Sequence, residues 1–247
     1  MELTMSHCTY GYRPWSKPVI ENLNYEFPKG TNILLGPNGA GKSTFLKLAA
    51  SVIYPREGTV KFGEISSRER AYRSKVAWMP QRIVAMSALT AREQVAYVGW
   101  LKGMNRRDAW DSSISALSRV DLKEQADTKS ARLSGGQLRR VGVASALVHD
   151  ASILLLDEPT AGMDPRQRRI FRSLIRPLAD EKDILISTHD VSDLAEEADH
   201  VTLLDAGRIT FTGSTEDFLS HAPENVASGR RAEAAYTALG EGERGKA

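Results

Sequence analysis

The sequence predicts an α/β fold built on a mostly parallel sheet, and two observations carry that expectation. Short, continuously apolar runs recur along the chain and end at turn residues, as strands buried on both faces do. Helical patterns lie between them, and this alternation is the order from which parallel sheets are built. The strand candidates are Thr31–Leu35, Lys75–Met79, Ile153–Leu156, Ile184–Ile186 and Val201–Leu204. The helices expected among them are Thr44–Ser51, Gln137–His149, Pro165–Leu178 and Val191–Ala198. From about residue 88 to 135, most clearly from Leu89 to Ser130, the chain is polar, charged and helical without a good strand. That stretch reads as a helical subdomain inserted between sheet strands. After Phe218 the composition shifts again: Pro223–Ala247 is rich in Ala, Gly, Glu and Arg and poor in large apolar residues. One domain over residues 1–220 and a polar, disordered tail over 221–247 are therefore expected.

Composition narrows the function classes without choosing one. At 247 residues, 41% hydrophobic and 26% charged, the chain can bury a core as one large α/β domain. Thirty-three basic against 31 acidic residues leave a net charge of +2, too little to argue for a nucleic-acid stripe or a membrane-surface field. Cys8 has no partner for a disulfide, and His7, His149, His189, His200 and His221 do not cluster at metal-ligand spacing, which excludes a Cys/His zinc site. No apolar stretch approaches the roughly 20 residues that span a bilayer. Met1–Tyr10 lacks the cationic start and apolar run of a secretion signal, so the chain is expected in the cytosol.

Three motifs carry chemistry. Gly36-Pro37-Asn38-Gly39-Ala40-Gly41-Lys42-Ser43 fits the phosphate-loop pattern and lies between a strand and a helix, where that loop must lie. Glycines let the backbone curl so that successive N–H groups face phosphate oxygens, and the helix N-terminus adds a field favourable to anions. Lys42 brings a point charge to the outer phosphates, Ser43 offers a hydroxyl to Mg2+, and Thr44 follows in the first helical turn. Next, Ile153-Leu-Leu-Leu-Asp157-Glu158 is an apolar strand ending in two acids, at the sheet edge where α/β folds bind ligands. Asp157 is expected in the Mg2+ shell, and Glu158 is expected to orient or deprotonate the attacking water. Finally, Leu133-Ser134-Gly135-Gly136-Gln137 precedes an apolar-periodic helix and makes a second anion-binding helix start.

Together these motifs make the chain resemble the nucleotide-binding subunits of ATP-binding cassette (ABC) transporters, over roughly Leu3 to Phe218, with Leu133–Gln137 similar to that family's signature. The resemblance implies a P-loop NTPase with a mostly parallel sheet core, an N-terminal antiparallel β part and the inserted helical subdomain. It implies an Mg-dependent ATPase whose cofactors are ATP and Mg2+. Two copies would pack head to tail, so that Ser134, Gly135, Gly136 and Gln137 of one copy meet the nucleotide held by the phosphate loop of the other. Gln81, in Trp78-Met-Pro-Gln81, is similar to the family's glutamine loop, which links Mg2+ and the attacking water to the helical subdomain. Asp164, in Ala161-Gly-Met-Asp164, stands at the aspartate loop, though Gly162-Met163 departs from the commoner Ser-Ala-Leu-Asp wording. His189, in Ser187-Thr-His189-Asp, resembles the switch histidine that contacts the γ-phosphate. An aromatic near the start should stack on adenine. In the alternation Leu3, Met5, Cys8, Tyr10, Tyr12 the choice falls on Tyr12, with Tyr10 close behind.

A transporter of this build needs a separately encoded permease, on which the chain would sit peripherally at the inner face of the membrane. Val84, Met86, Leu89, Thr90, Tyr97 and Trp100 are the candidate contacts, and Leu89-Thr-Ala-Arg-Glu93 looks like ATPases that serve bacterial export permeases. An importer ATPase and an ABC-type ATPase with a soluble partner are the alternatives. A small-metabolite kinase would leave Leu133–Gln137 and His189 unexplained. Arg139, Arg140 and the run Arg166–Arg169 read as solvated helix faces, and Cys8 as an unreactive core residue.

Overall fold

The computed structural model describes residues 2–191 and 198–244. The chain opens with β1 (Leu3–Tyr10), β2 (Ile20–Glu26), β3 (Thr31–Leu35), α1 (Lys42–Ala49), β4 (Glu57–Phe62), β5 (Ile65–Ser66), α2 (Tyr72–Lys75) and β6 (Val76–Met79). Three helices follow: α3 (Ala91–Leu101), α4 (Arg106–Arg119) and α5 (Gly135–Leu147). Then come β7 (Ile153–Asp157), α6 (Pro165–Ala179), β8 (Asp183–Thr188), β9 (His200–Asp205), β10 (Arg208–Ser214), α7 (Thr215–Ser220) and α8 (Arg231–Arg244). The strands form two sheets. One has the order β10-β9-β3-β8-β7-β6, parallel except for the antiparallel edge strand β10; the other is antiparallel, with the order β2-β1-β4-β5.

Apolar runs without alternation become strands covered on both faces because successive side chains point to opposite sides. Ile33 and Leu35 of β3, Leu154 and Leu156 of β7, and Ile184 and Ile186 of β8 enter one core, shared with Val95 of α3, Val143 of α5 and Phe171 of α6. Leu34, Leu155 and Leu185 enter a second core on the other side, shared with Phe45 and Leu48 of α1 and with Leu3, Met5 and Val60 of the antiparallel sheet. In β1 the buried set runs Leu3, Met5, Cys8. The parity changes at a bulge where the register shifts and His7 takes φ 50°.

Residues 89–130 form α3 and α4, with one isolated bridge between Thr90 and Lys129. Local chemistry sets the helix starts. Thr90 and Glu93 make a reciprocal capping box at α3, and Asn105 caps α4 by accepting from the Asp108 N–H. Both helices pack against α5, so the inserted segment and the signature helix are one helical layer.

The C-terminal end differs from the sequence-based expectation of a disordered tail. Residues 231–244 form α8, which packs on α7. Its Ala232 and Ala235 are buried in the first core, with Tyr236 and Leu239 against it. These four positions follow the i, i+3, i+4, i+7 spacing of a helix face. Alanine carries too little apolar area to register as a stripe in the sequence, but its small size lets the helix approach closely. Positions 192–197 of the expected Val191–Ala198 helix, and 245–247 of the tail, lie outside the described residues.

Ala235 is 0% exposed. Ala235→Asp should cost about 3 kcal/mol or more by burying a carboxylate without a partner, lowering the thermal midpoint by roughly 6–12 °C. An unchanged midpoint in a calorimetric scan would refute the docking of α8.

Candidate active site

The phosphate-loop segment bridges β3 and α1. Gly41 takes φ 107° as the residue that caps α1, a conformation that L side chains avoid. At Gly36 the constraint is space, since a β-carbon there would stand 2.2 Å from the Leu204 carbonyl oxygen of β9. Ala40 is tied in from both sides: its N–H donates to Pro37 O and its carbonyl accepts from the Gly207 N–H. Lys42 is 5% exposed and its Nζ donates to Gly36 O at 2.7 Å and Pro37 O at 3.1 Å. Burial draws its pKa below the usual lysine range, against the opposing charges of Glu158 and Asp157. Asn38, Gly39, Gly41, Lys42, Ser43 and Thr44 line one side of a cleft of about 330 Å³, with Gln81 and Glu158 on the other. That volume is in the range of small-molecule sites.

The two acids sit at the end of β7, beside β8. Asp157 is 2% exposed. Its carboxylate accepts a hydrogen bond from the Ser187 hydroxyl at 2.8 Å. Burial raises its pKa above the usual carboxylate range, and the hydroxyls of Ser187 and of the nearby Ser43 oppose that only in part. Ser187 Oγ also accepts from the Glu158 N–H at 2.9 Å, so one hydroxyl joins both acids to β8. Glu158 has φ 43°, uncommon for a residue with a β-carbon. Its Oε2 accepts from Gln81 Nε2 at 2.9 Å, while Oε1 lies 3.8 Å from Lys42 Nζ and 3.4 Å from His189 Nδ1. The Ser43 hydroxyl, the Asp157 carboxylate and the free amide oxygen of Gln81 are hard oxygen donors that suit Mg2+. A cation would relieve the carboxylate that burial disfavours. Among the described residues no group of three or more His, Cys, Asp and Glu could hold a metal by itself.

Tyr12 lies just past β1, more than half exposed, with its hydroxyl 3.1 Å from Thr44 Oγ1 and its ring edge-on to Tyr10. Tyr10 is the more covered of the two, so Tyr12 is the ring that borders the phosphate loop openly. Phosphate loop, Gln81, Asp157, Glu158, His189 and Tyr12 are thus brought together in one chain. The signature residues are not. Ser134, Gly136 and Gln137 line a separate groove of about 80 Å³ with Met163 and Gln167. Ser134 caps α5 in a capping box with Gln137, and Gly135 is exposed at the helix start. Asp164 caps α6 by accepting from the Gln167 N–H at 2.8 Å, ahead of Pro165 in the first helical position.

Sequence reasoning missed three groups. Ser187 lies inside the Ser-Thr-His189 motif, where nothing local in the sequence marks its hydroxyl as the partner of both acids. Arg139 and Arg140 are half-buried rather than solvated: Arg139 donates to Glu158 O and Pro159 O, and Arg140 to Val120 O and Asp121 O at the end of α4. Arg168 likewise pairs with Asp190 at 2.9 Å, whereas Arg166 and Arg169 are exposed as expected. A helix stripe read for apolar residues alone gives no sign of which arginine finds a carbonyl. Cys8 is buried, and burial pushes its thiol up to about 11, as suits an unreactive core residue.

The raised Asp157 pKa has a direct consequence for stability. The folded state keeps this proton to higher pH than the unfolded chain, so the group's contribution falls as pH rises from 3.8 through the folded value, and at pH 7 the ionised carboxylate is a cost. Asp157→Asn should therefore raise the thermal midpoint of the ligand-free chain at pH 7, by less as pH falls towards 4, and remove any stabilisation by added Mg2+. A midpoint at pH 7 below that of the parent would contradict this account.

The chain matches the family model described as ABC transporter over residues 20–161. Nod factor export ATP-binding protein I of Sinorhizobium fredii is 36% identical over 212 residues, which are 84% of this chain and 61% of that protein. An uncharacterised ABC transporter ATP-binding protein of Bacillus subtilis is 33% identical over 209 residues, 84% of this chain and 70% of that one. Against the first of these relatives, the chain thus spans about three fifths of its length. A solved ATP-binding subunit of an ABC transporter shares the fold, with a TM-score of 0.82 over 97% of this chain and 100% of that one at 23% identity. Family match, fold and cleft agree, and the chain belongs to the ABC transporter family as an ATP-binding cassette.

Proposed function

We propose that the chain hydrolyses ATP in the cleft beside Lys42 and delivers the resulting opening and closing to a separately encoded membrane permease, in the direction of export. The observation that carries this reading is the convergence on Glu158: within 4 Å its carboxylate has an amide, an ammonium and an imidazole, at the mouth of a phosphate-binding loop. The loop's N–H groups and Lys42 receive the phosphates. Ser43, Asp157 and Gln81 are the oxygens that would hold Mg2+, which when bound neutralises charge on the phosphate oxygens. Gln81 and His189 hold the Glu158 carboxylate, which orients a water and accepts its proton as the oxygen attacks the γ-phosphorus. ADP and inorganic phosphate leave.

The signature helix supports the two-copy arrangement. Ser134 and Gly136 at its start line a groove apart from their own chain's cleft, and a second copy facing that groove would bring the helix N–H groups to a nucleotide. A two-fold axis then makes two equal sites, with Asp164 beside the same edge. Val84, Tyr97 and Trp100, exposed apolar residues along the segment after Gln81, support a protein contact there; Met86, Leu89 and Thr90 are more covered. No helix of the described residues is long and apolar enough to cross a membrane. Attachment at the cytoplasmic face through the permease, without nucleic acid, completes the reading. The name of the Sinorhizobium relative supports export as the direction.

Glu158→Gln should keep ATP binding, lose roughly 10²–10⁴-fold in turnover, and accumulate as a dimer with MgATP on size-exclusion chromatography. A purely monomeric profile in the presence of the permease would sink the two-copy site. Lys42→Ala should abolish most nucleotide affinity, and undiminished binding in a fluorescent-nucleotide titration would refute the phosphate loop. Co-expression with an adjacent permease gene should bring the chain into the membrane fraction; recovery only in the soluble fraction would count against the partner.

A further inference from the structure

α5 carries two kinds of group. Its start presents Ser134, Gly135 and Gly136; one turn later, the Arg139 guanidinium turns inward instead of out to solvent. Its Nη1 donates to Glu158 O at 3.0 Å and to Pro159 O at 3.1 Å. Both carbonyls belong to the turn that carries the Glu158 carboxylate. The backbone there is under strain: Glu158 has φ 43° and precedes a proline, which supplies no N–H to brace the turn. Within the turn the Ala161 N–H meets Glu158 O at 3.2 Å, and Ser187 Oγ accepts from the Glu158 N–H. Arg139 is the tie that comes from the helical layer.

We propose that Arg139 is a positioning residue: its guanidinium clamps the carbonyls of the Glu158–Pro159 turn, so that the signature helix holds its own chain's Glu158 carboxylate in place over the cleft. The inference rests on Glu158 acting on the attacking water, and it adds a physical link to that reading. The helix end that faces one nucleotide and the carboxylate that serves the other are joined by a single side chain. Burial draws the Arg139 pKa below its usual value and the Glu158 charge opposes that shift, so the guanidinium is a partly desolvated cation within the field of the carboxylate. A strut that served only the fold would stabilise the chain without regard to the Glu158 carboxylate.

The experiment compares Arg139→Met, which keeps the buried stem without its donors, with Arg139→Lys, whose ammonium can still reach a carbonyl, each in the parent and in Glu158→Gln. Turnover is followed by single-turnover hydrolysis of radiolabelled ATP, and affinity by a fluorescent ATP analogue. Arg139→Met should lose roughly ten- to a hundredfold in kcat, the scale of a misplaced catalytic group, with affinity within about twofold of the parent. Arg139→Lys should recover part of the loss. In Glu158→Gln, adding Arg139→Met should cost nothing further, because the carboxylate it positions is already gone. Parental kcat in Arg139→Met, or independent multiplying losses in the double variant, would overturn the inference and leave the role of Glu158 standing. A parental rate in Glu158→Gln alone would overturn that role, and the positioning inference with it.

Discussion

The in-register parallel pairing of β3, β8, β7 and β6 is the constraint on which the site depends. Leu35 lies opposite Thr188, Asp157 opposite Ser187, and Met79 opposite Leu156. The strands therefore end together, and whatever follows each one emerges at the same edge: the phosphate loop after β3, His189 after β8, Glu158 after β7 and Gln81 after β6. A slip of one residue in any pair would turn every side chain of that strand to the opposite face. Between β7 and β8 it would also part Ser187 from the two acids it bridges. The two cores resist such a slip, since each face of the sheet is packed by different residues of the same strands.

The edge so assembled concentrates charge where water is scarce. Lys42, Asp157 and Glu158 are nearly buried, one cation against two carboxylates. The hydroxyls of Ser187 and Ser43 offset part of the desolvation of Asp157, and Gln81 and His189 hold Glu158. What remains unbalanced is negative charge beside hard oxygen donors, which makes the same edge receptive to a divalent cation and, through Lys42 and the loop's N–H groups, to phosphate. The strain at Glu158 belongs to this arrangement. A residue held at positive φ aims its carboxylate back over the cleft, and Ser187 from the sheet and Arg139 from the helical layer hold it there.

Helix α5 joins the helical layer to the sheet edge that carries the cleft. Its capping box leaves a glycine-lined start that takes no part in its own chain's cleft, while Arg139 one turn later reaches the turn that carries Glu158. Arg140 closes the end of α4 in the same layer. A displacement of the helical layer thus has a direct mechanical route to Glu158.

The parts legible in the sequence are those whose physics is local. A phosphate loop is a run of backbone conformations that glycines at fixed spacing permit, so Gly36–Ser43 could be read from eight residues. Apolar runs bounded by turn signals named the five parallel strands, with ends off by a residue or two, while the antiparallel edge strand β10 went unnamed and the caps at Ser134 and Asp164 emerged with the structure. The groups that escaped are those whose partners are distant in the chain. Arg139 meets carbonyls 19 and 20 residues away, Ser187 an acid 30 residues away, and α8 a core built from the whole sheet. Sequence by itself determined which chemistry the chain carries, because motif spacing is a property of adjacent residues. Only the tertiary structure decided which side chains hold that chemistry in place, because a carbonyl or hydroxyl becomes a partner only when folding brings it within about 3 Å.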